Sequence, residues 1–337
     1  MKKRVISVVK YILLLSIGLG LLYLAFRGND LKKMLRDIES ANYFWVLLSL
    51  FVSVLAYISR AMRWNMLIES LGYKPKVRNT YWALIFGYFA NLAVPRLGEV
   101  SRCGALSRKE KIPFNELLGT VVIERVVDVL MLVVSLLLVS FLEFGLLKNL
   151  ALRAFNFHIY PAHSSFILMV NSWKFIAVML SPLVLLIFLQ IFFSWHRKNQ
   201  SPTFDKISKL FLGIVRGFQT ILKMKNNWKF IAHTLFIWIM YFIVSYVCFF
   251  SIPATSNLTP KDGLFIFAVG GIGMTAPVQG GFGIYHLIVS QAMTLLGIQL
   301  SDGLVYATIV HTAQTLLVLL MGGISVIYFL NPNKNEL

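Results

Sequence analysis

The sequence predicts an all-α polytopic membrane protein. Six full transmembrane helices and two re-entrant broken segments form one domain over residues 1–337, as an inverted-topology repeat. Three observations predict it. Hydrophobic residues make up 58% of the chain and charged residues 14%, a balance unlike that of soluble domains. The apolar residues gather into runs of the roughly 20 residues that a helix needs to cross a bilayer. Two shorter apolar runs are interrupted by proline and glycine at corresponding places in the two halves, the pattern of a transporter's binding region.

Six runs are long enough to span, at about 5–26, 41–59, 117–142, 174–194, 230–252 and 303–330. The first follows Lys2, Lys3 and Arg4 in the manner of a signal peptide. Tyr23, Phe26 and Arg27 stand where a small-residue cleavage site would be, so it reads as a retained span. Segment 81–95 ends at Pro95, and segment 264–277 carries Gly270, Gly271 and Gly273 and ends at Pro277. Proline removes a backbone donor and glycine weakens a helix, so both should break inside the membrane. A further apolar stretch, 284–297, leads back out. The half-repeats then cover about 5–142 and 174–330, and Pro95…Gly98 corresponds to Pro277…Gly280, 182 residues on. Between the halves, Ile207, Leu210, Phe211, Ile214, Phe218 and Ile221 recur at helical intervals opposite Lys206, Lys209, Arg216, Lys223 and Lys225. Residues 204–225 are therefore either an interfacial helix on the anionic inner leaflet or a solvated cytoplasmic linker.

Charge orients the chain. The formal net charge is +18. If segment 81–95 enters and returns on one side, 22 basic residues face the cytoplasm and seven face outward, with both termini inside. A full crossing would invert everything beyond it and turn the basic 195–229 loop outward, against the positive-inside tendency. The basic residues lie at membrane edges and the aromatics in spans, which argues against a nucleic-acid partner.

Charges within spans are costly and mark function by default. Glu124, Arg125 and Asp128 lie about two turns into the third span; Glu124 and Asp128 share a face, and Arg125 can pair with Asp128. They form a helix-locking ion pair, or a site where Arg125 meets an anionic headgroup while a carboxylate binds a proton or cation. Around the first break lie Asn91, Pro95, Arg96, Gly98, Glu99 and Arg102. Broken backbone exposes polar groups that protein must surround, and the planar fork of Arg96 and Arg102 suits phosphate. Arg60 and Arg63 either join them or are ordinary cytoplasmic anchors. At the second break Gly280, Gly281 and Gly283 permit a turn whose N–H groups could cradle phosphate oxygens, or simply let helices approach closely. His286 and His311 read as buried structural polar residues. Glu99, Glu124 and Asp128 are the candidate carboxylates for ion or proton coupling.

Enzyme signatures such as His-Glu-x-x-His, Gly-x-Ser-x-Gly or a Walker A loop do not occur, and Cys103 and Cys248 have no metal-ligand spacing. No catalytic residue, metal or cofactor is expected. The readings left open are a lipid transporter, a membrane-embedded transferase acting on a lipid phosphate, and a scaffold for a separate lipid-modifying enzyme.

The ordered set Arg60-x-x-Arg63-Trp64, Asn91…Pro95-Arg96-x-Gly98-Glu99-x-x-Arg102, Glu124-Arg125-x-x-Asp128 and Pro277-x-x-Gly280-Gly281-x-Gly283 resembles the lysylphosphatidylglycerol synthase transmembrane region family. This is the flippase-like membrane half of bacterial multiple-peptide-resistance factors, also found standing alone. The resemblance covers about residues 10–330. It implies a bacterial inner-membrane protein that binds or moves lipids, with Arg60, Arg63, Arg96, Glu99, Arg102, Glu124, Arg125, Asp128 and the second glycine-rich break contacting them. Its lipid partners would be an anionic phospholipid or a polyprenyl phosphate. The final span often carries an arginine where this chain has His311. The soluble aminoacyl-transferase domain of the full-length factors is missing from this sequence, so the resemblance does not imply synthase activity.

Overall fold

A computed structural model describes residues 16, 18–142, 227–276 and 278–330. The predicted span 174–194, the amphipathic stretch 204–225, most of residues 5–17 and Pro277 lie outside the described residues. Two compact units divide the chain, residues 1–132 with 223–337 and residues 133–222. Nearly all the described residues belong to the first unit; of the second, residues 133–142 are described.

Among the described residues every regular element is helical. Helix α1 covers 18–26, and α2 (Leu31–Glu39) begins at Asp30, whose carboxylate accepts from the Lys32 and Lys33 N–H groups. Then come α3 (Tyr43–Glu69), α4 (Val77–Ala93), α5 (Leu97–Glu110) and α6 (Phe114–Leu142). Helix α7 (Asn227–Val247) continues through the short turns Cys248–Ser251 and Pro253–Thr255. A reciprocal cap between Thr259 and Asp262 starts α8 (Pro260–Thr275), followed by α9 (Ile284–Thr294) and α10 (Leu300–Leu330). Among the described residues four helices, Tyr43–Glu69, Phe114–Leu142, Asn227–Ser251 and Leu300–Leu330, are long and apolar enough to cross a membrane.

The second predicted span is ten residues too short at its C-terminal end. It stops at Ser59 because Arg60 interrupts the hydropathy, yet α3 runs on to Glu69. Ala61, Trp64, Leu67 and Ile68 continue its buried face without exposure, and the arginines between them find carboxylates within the protein. Arg60 and Arg63 are thus interior to a helix, and the reading of them as cytoplasmic anchors is overturned.

The two interrupted segments are helical hairpins. In the first, α4 and α5 run antiparallel with backbones almost in contact. A Cβ added at Gly98 would lie 2.2 Å from the Gly87 carbonyl oxygen, and one at Gly87 would lie 2.8 Å from that of Gly98. Asn91 Oδ1 closes the tip by accepting from Gly98 N–H at 2.7 Å. At the open end Glu110 Oε1 accepts from Asn79 Nδ2 at 2.6 Å and from the Lys76 N–H at 2.9 Å. The ends of α3 and α6 meet there too: Asn65 Nδ2 donates to the Pro75 carbonyl, and the Tyr73 hydroxyl reaches Glu116. Trp64, Ile68, Ala83, Cys103, Leu106, Ile112, Leu117 and Val121 form the apolar core of this end, with Phe329 of α10 packed on it.

The second hairpin comes from the other end. There Asn42 N–H donates to the Ser251 carbonyl, and Lys33 of α2 faces Asp302 of α10 at 3.5 Å. Gly270 and Gly273 of α8 pack against Tyr285 of α9. The tips touch: a Cβ at Gly280 would lie 2.9 Å from Leu92 in the last turn of α4. The two breaks are built differently. The first is a tight corner at Val94–Arg96 with Arg96 left-handed (φ 63°), whereas the second is a longer connection that includes 278–283, with positive φ at Gly280, Gly281 and Gly283.

Candidate functional site

Three helices, α3, α5 and α6, meet at one carboxylate. Glu124 lies ten residues into α6, about 15 Å along it at 1.5 Å per residue, and is fully buried. Its Oε1 accepts from Arg60 Nη2 at 2.5 Å, and from Arg63 Nη2 and Arg125 Nη2 at 3.4 Å each. Its Oε2 stands 2.9 Å from Arg102 Nη2, an ion pair off the angle of a hydrogen bond. One turn on, Asp128 Oδ1 accepts from Arg63 at 2.7 Å and Oδ2 from Arg60 at 3.2 Å, with Arg125 at 3.6 Å. The i,i+4 spacing that puts Glu124 and Asp128 on one face lets both meet Arg60 and Arg63, themselves neighbours at i,i+3 on α3.

The neighbours that complete the cluster are polar or aromatic. Arg60 Nη1 donates to the Tyr241 hydroxyl at 3.0 Å, and its guanidinium lies 5.6 Å from the Tyr88 ring centre. Arg63 Nη1 donates to Thr234 at 3.4 Å, with Phe230 beneath it at 5.9 Å. Arg102 stacks 4.5 Å from the Trp64 ring, whose Nε1–H is tied to Thr120 Oγ1 at 2.8 Å. Fixing the indole in this way fixes the guanidinium on its face. Trp64 belongs to the sequence motif, but Thr120, Thr234, Tyr88 and Tyr241 carry no signal. Their apolar neighbours hide them, and only the packing of α4, α6 and α7 on α3 brings them in.

The balance of charge decides what the site can do. Four guanidinium groups face two carboxylates, a formal excess of two positive charges. Arg60 Nε, Arg63 Nε, Arg102 Nη1 and Arg125 Nε are buried without a hydrogen-bond partner. A buried ion network is poor evidence of added stability, because desolvation offsets the attraction. Within a membrane span such a charge is costly, and an excess of fork-shaped donors is matched chemically by an oxyanion. The cluster also has an exit: the Arg125 side chain is 41% exposed and Asp128 20%, while Arg63 and Glu124 are at 0%.

Other predicted residues sit elsewhere. Arg96 is exposed at the tip of the first hairpin and takes part in none of the cluster's ion pairs. Glu99 occupies the first turn of α5, half-buried, with Oε2 lacking a hydrogen-bond partner. Pro95 and Gly98 form the corner, closed by Asn91. At the second break, the N–H groups of Gly281 and Phe282 bond to carbonyls of the turn itself. The Gly280 carbonyl accepts from His311 Nε2 at 2.7 Å, which places the imidazole proton on Nε2. His286 lies beside it, ring centres 4.9 Å apart and the rings inclined by 58°. Thus His311 holds the break in place. Ser53 and Gln314, 3.0 Å apart and both missed from sequence, add a neutral polar pair between α3 and α10.

A stretch of 130 residues, 38% of this chain and 36% of the relative, is 28% identical to the UPF0104 membrane protein MJ1595 of Methanocaldococcus jannaschii. The chain thus matches little more than a third of that relative's length. No solved structure matches. The model of the family described as "Lysylphosphatidylglycerol synthase TM region" matches residues 11–322, nearly the whole chain, and the protein belongs to that family of membrane proteins.

Proposed function

We propose that this protein translocates an anionic lipid, a phospholipid or a polyprenyl phosphate, across the plasma membrane of a bacterium. The observation that carries the reading is the excess of guanidinium over carboxylate, buried about 15 Å along α6 and open to the surface through Arg125. The headgroup phosphate takes the open edges of Arg102 and Arg125, with Arg60 and Arg63 supplying field from behind. Arg96 at the first tip and the glycines of the second break serve as intermediate contacts.

In this reading the chain has six spans, two re-entrant hairpins and inverted symmetry, with both termini cytoplasmic. The hairpins enter from opposite faces, and the halves rock about their meeting point at Leu92 and Gly280. Glu124 and Asp128 are each surrounded by arginines, which leaves Glu99 as the carboxylate for coupling to a proton or cation. In this reading the protein makes and breaks no covalent bond itself.

Reconstitution into vesicles with headgroup-labelled phosphatidylglycerol or polyprenyl phosphate tests this directly. The expected result is faster exposure of label to an impermeant quencher than in empty vesicles, with the rate falling about ten-fold or more in Arg125→Gln, the loss of one charge-assisted contact. Equal rates in protein-containing and empty vesicles for both lipids would end the proposal.

A further inference from the structure

Outside the cluster, α3 and α7 leave a cavity of about 440 Å³ on their outer side. Its walls are Leu55, Ile58 and Met62 of α3 and Phe236 of α7, and Lys229 stands at its mouth. Its floor is the hydrogen bond between Ser59 Oγ and His233 Nδ1, 2.8 Å long. Ser59 adjoins Arg60, and His233 adjoins the Thr234 that accepts from Arg63, so the floor of the groove is the back wall of the arginine cluster.

We infer that this groove seats an acyl chain of an anionic phospholipid from the inner leaflet, with Lys229 on its phosphate. The inference rests on the lipid-translocation reading and names the place where the cargo is first held. Several features specify the occupant. Lys229 is two residues into α7, at the end of the bundle that carries Lys74, Lys76, Lys109 and Lys111, the cytoplasmic end by the positive-inside tendency. Trp228 beside it is 73% exposed, as an indole at the headgroup level would be. From Met62 to Leu55 the groove descends seven residues, about 10 Å, which keeps it within one leaflet of a core about 30 Å thick. That length holds the headgroup-proximal part of one acyl chain, the remainder lying in the leaflet below. A packed partner helix would call for small residues, whereas Ile58, Met62 and Phe236 are each 40% exposed and bulky. The cation at the mouth, continuous with the excess positive charge behind the floor, selects a lipid with a negative headgroup.

The test uses the full chain with a fluorophore on Met62→Cys; Cys103 and Cys248 are buried and stay in place. Vesicles contain phosphatidylglycerol and phosphatidylcholine, with bromine on the acyl chains of one or the other. One interfacial lysine should enrich the anionic lipid on the order of five-fold. Quenching by brominated phosphatidylglycerol should exceed that by brominated phosphatidylcholine by that factor, and the preference should vanish in Lys229→Gln. It should persist in Arg125→Gln even as translocation falls. Equal quenching by the two lipids, a preference that survives Lys229→Gln, or self-quenching between labelled copies would each overturn the inference. If quenching is equal while arginine-dependent translocation remains, the groove is wrong and the function stands. If the preference is present but no lipid crosses, the groove stands and the function falls.

Discussion

Arg102 of α5 meets Glu124 of α6 at 2.9 Å, and the same carboxylate receives Arg60 and Arg63 of α3. The first hairpin is thereby tied to two long helices through one side chain. Its mobility cannot be independent of theirs.

Glu124→Gln should be severely destabilising. It leaves three buried guanidinium groups and the partly exposed one of Arg125 facing Asp128 alone, and breaking a buried pair from one side costs about 3–5 kcal/mol. Arg125→Gln should cost under about 1 kcal/mol, since three guanidinium groups still face the two carboxylates and the excess positive charge falls. Denaturant unfolding in detergent micelles, followed by circular dichroism, should separate the two variants clearly. Similar midpoints would mean that the cluster does not hold the fold.

Gly98→Ala should open the first hairpin. The new methyl would lie 2.2 Å from the Gly87 carbonyl oxygen and 2.5 Å from Asn91 Nδ2, the first of these rigid backbone. Overpacking of this kind costs roughly 1–3 kcal/mol. Gly104→Ala, six residues further along α5, meets nothing within 4 Å and should be neutral or slightly stabilising. Melting temperatures of the pair provide an internally controlled comparison.

Arg96→Gly should raise stability and lower transport together. Arg96 holds φ 63°, a left-handed conformation that costs a residue with a Cβ about 1 kcal/mol and costs glycine little. If the guanidinium contacts the headgroup, the variant unfolds later yet translocates more slowly. Unchanged transport would remove Arg96 from the lipid path.

Single cysteines at Gly72 and Lys111 should react with an impermeant maleimide from the same side of the membrane. Both flank contacts at one end of the bundle, where Tyr73 reaches Glu116 and Lys76 reaches Glu110. A cysteine at Lys261, beside the start of α8, should react only from the other side. Opposite sidedness for Gly72 and Lys111 would eliminate the re-entrant reading of α4 and α5.

Much of this fold is legible in the sequence, for reasons that also explain the misses. Apolar run length locates α6, α7 and α10 to within a few residues, because burial in lipid demands it. Pro95 and the cluster Gly280, Gly281 and Gly283 mark both breaks, because they alter backbone chemistry locally. Hydropathy ends α3 too early because it treats Arg60 and Arg63 as solvated, whereas partners 61 to 68 residues away neutralise them in part. The same long-range pairing, invisible in a single sequence, separates Arg102, which joins the cluster, from Arg96, six residues earlier, which does not. His311 shows the converse: its bond to Gly280 is an intramolecular strut that only packing reveals.

The crowding at Glu124 has a consequence for any oxyanion that reaches this place. The edges open to it, Arg102 Nη1 and Arg125 Nε, belong to guanidinium groups whose other nitrogens already face a resident carboxylate. On the proposed function, cargo would share these arginines with an internal counter-ion and loosen the tether among α3, α5 and α6, and its departure would let the protein's own acid draw them together again.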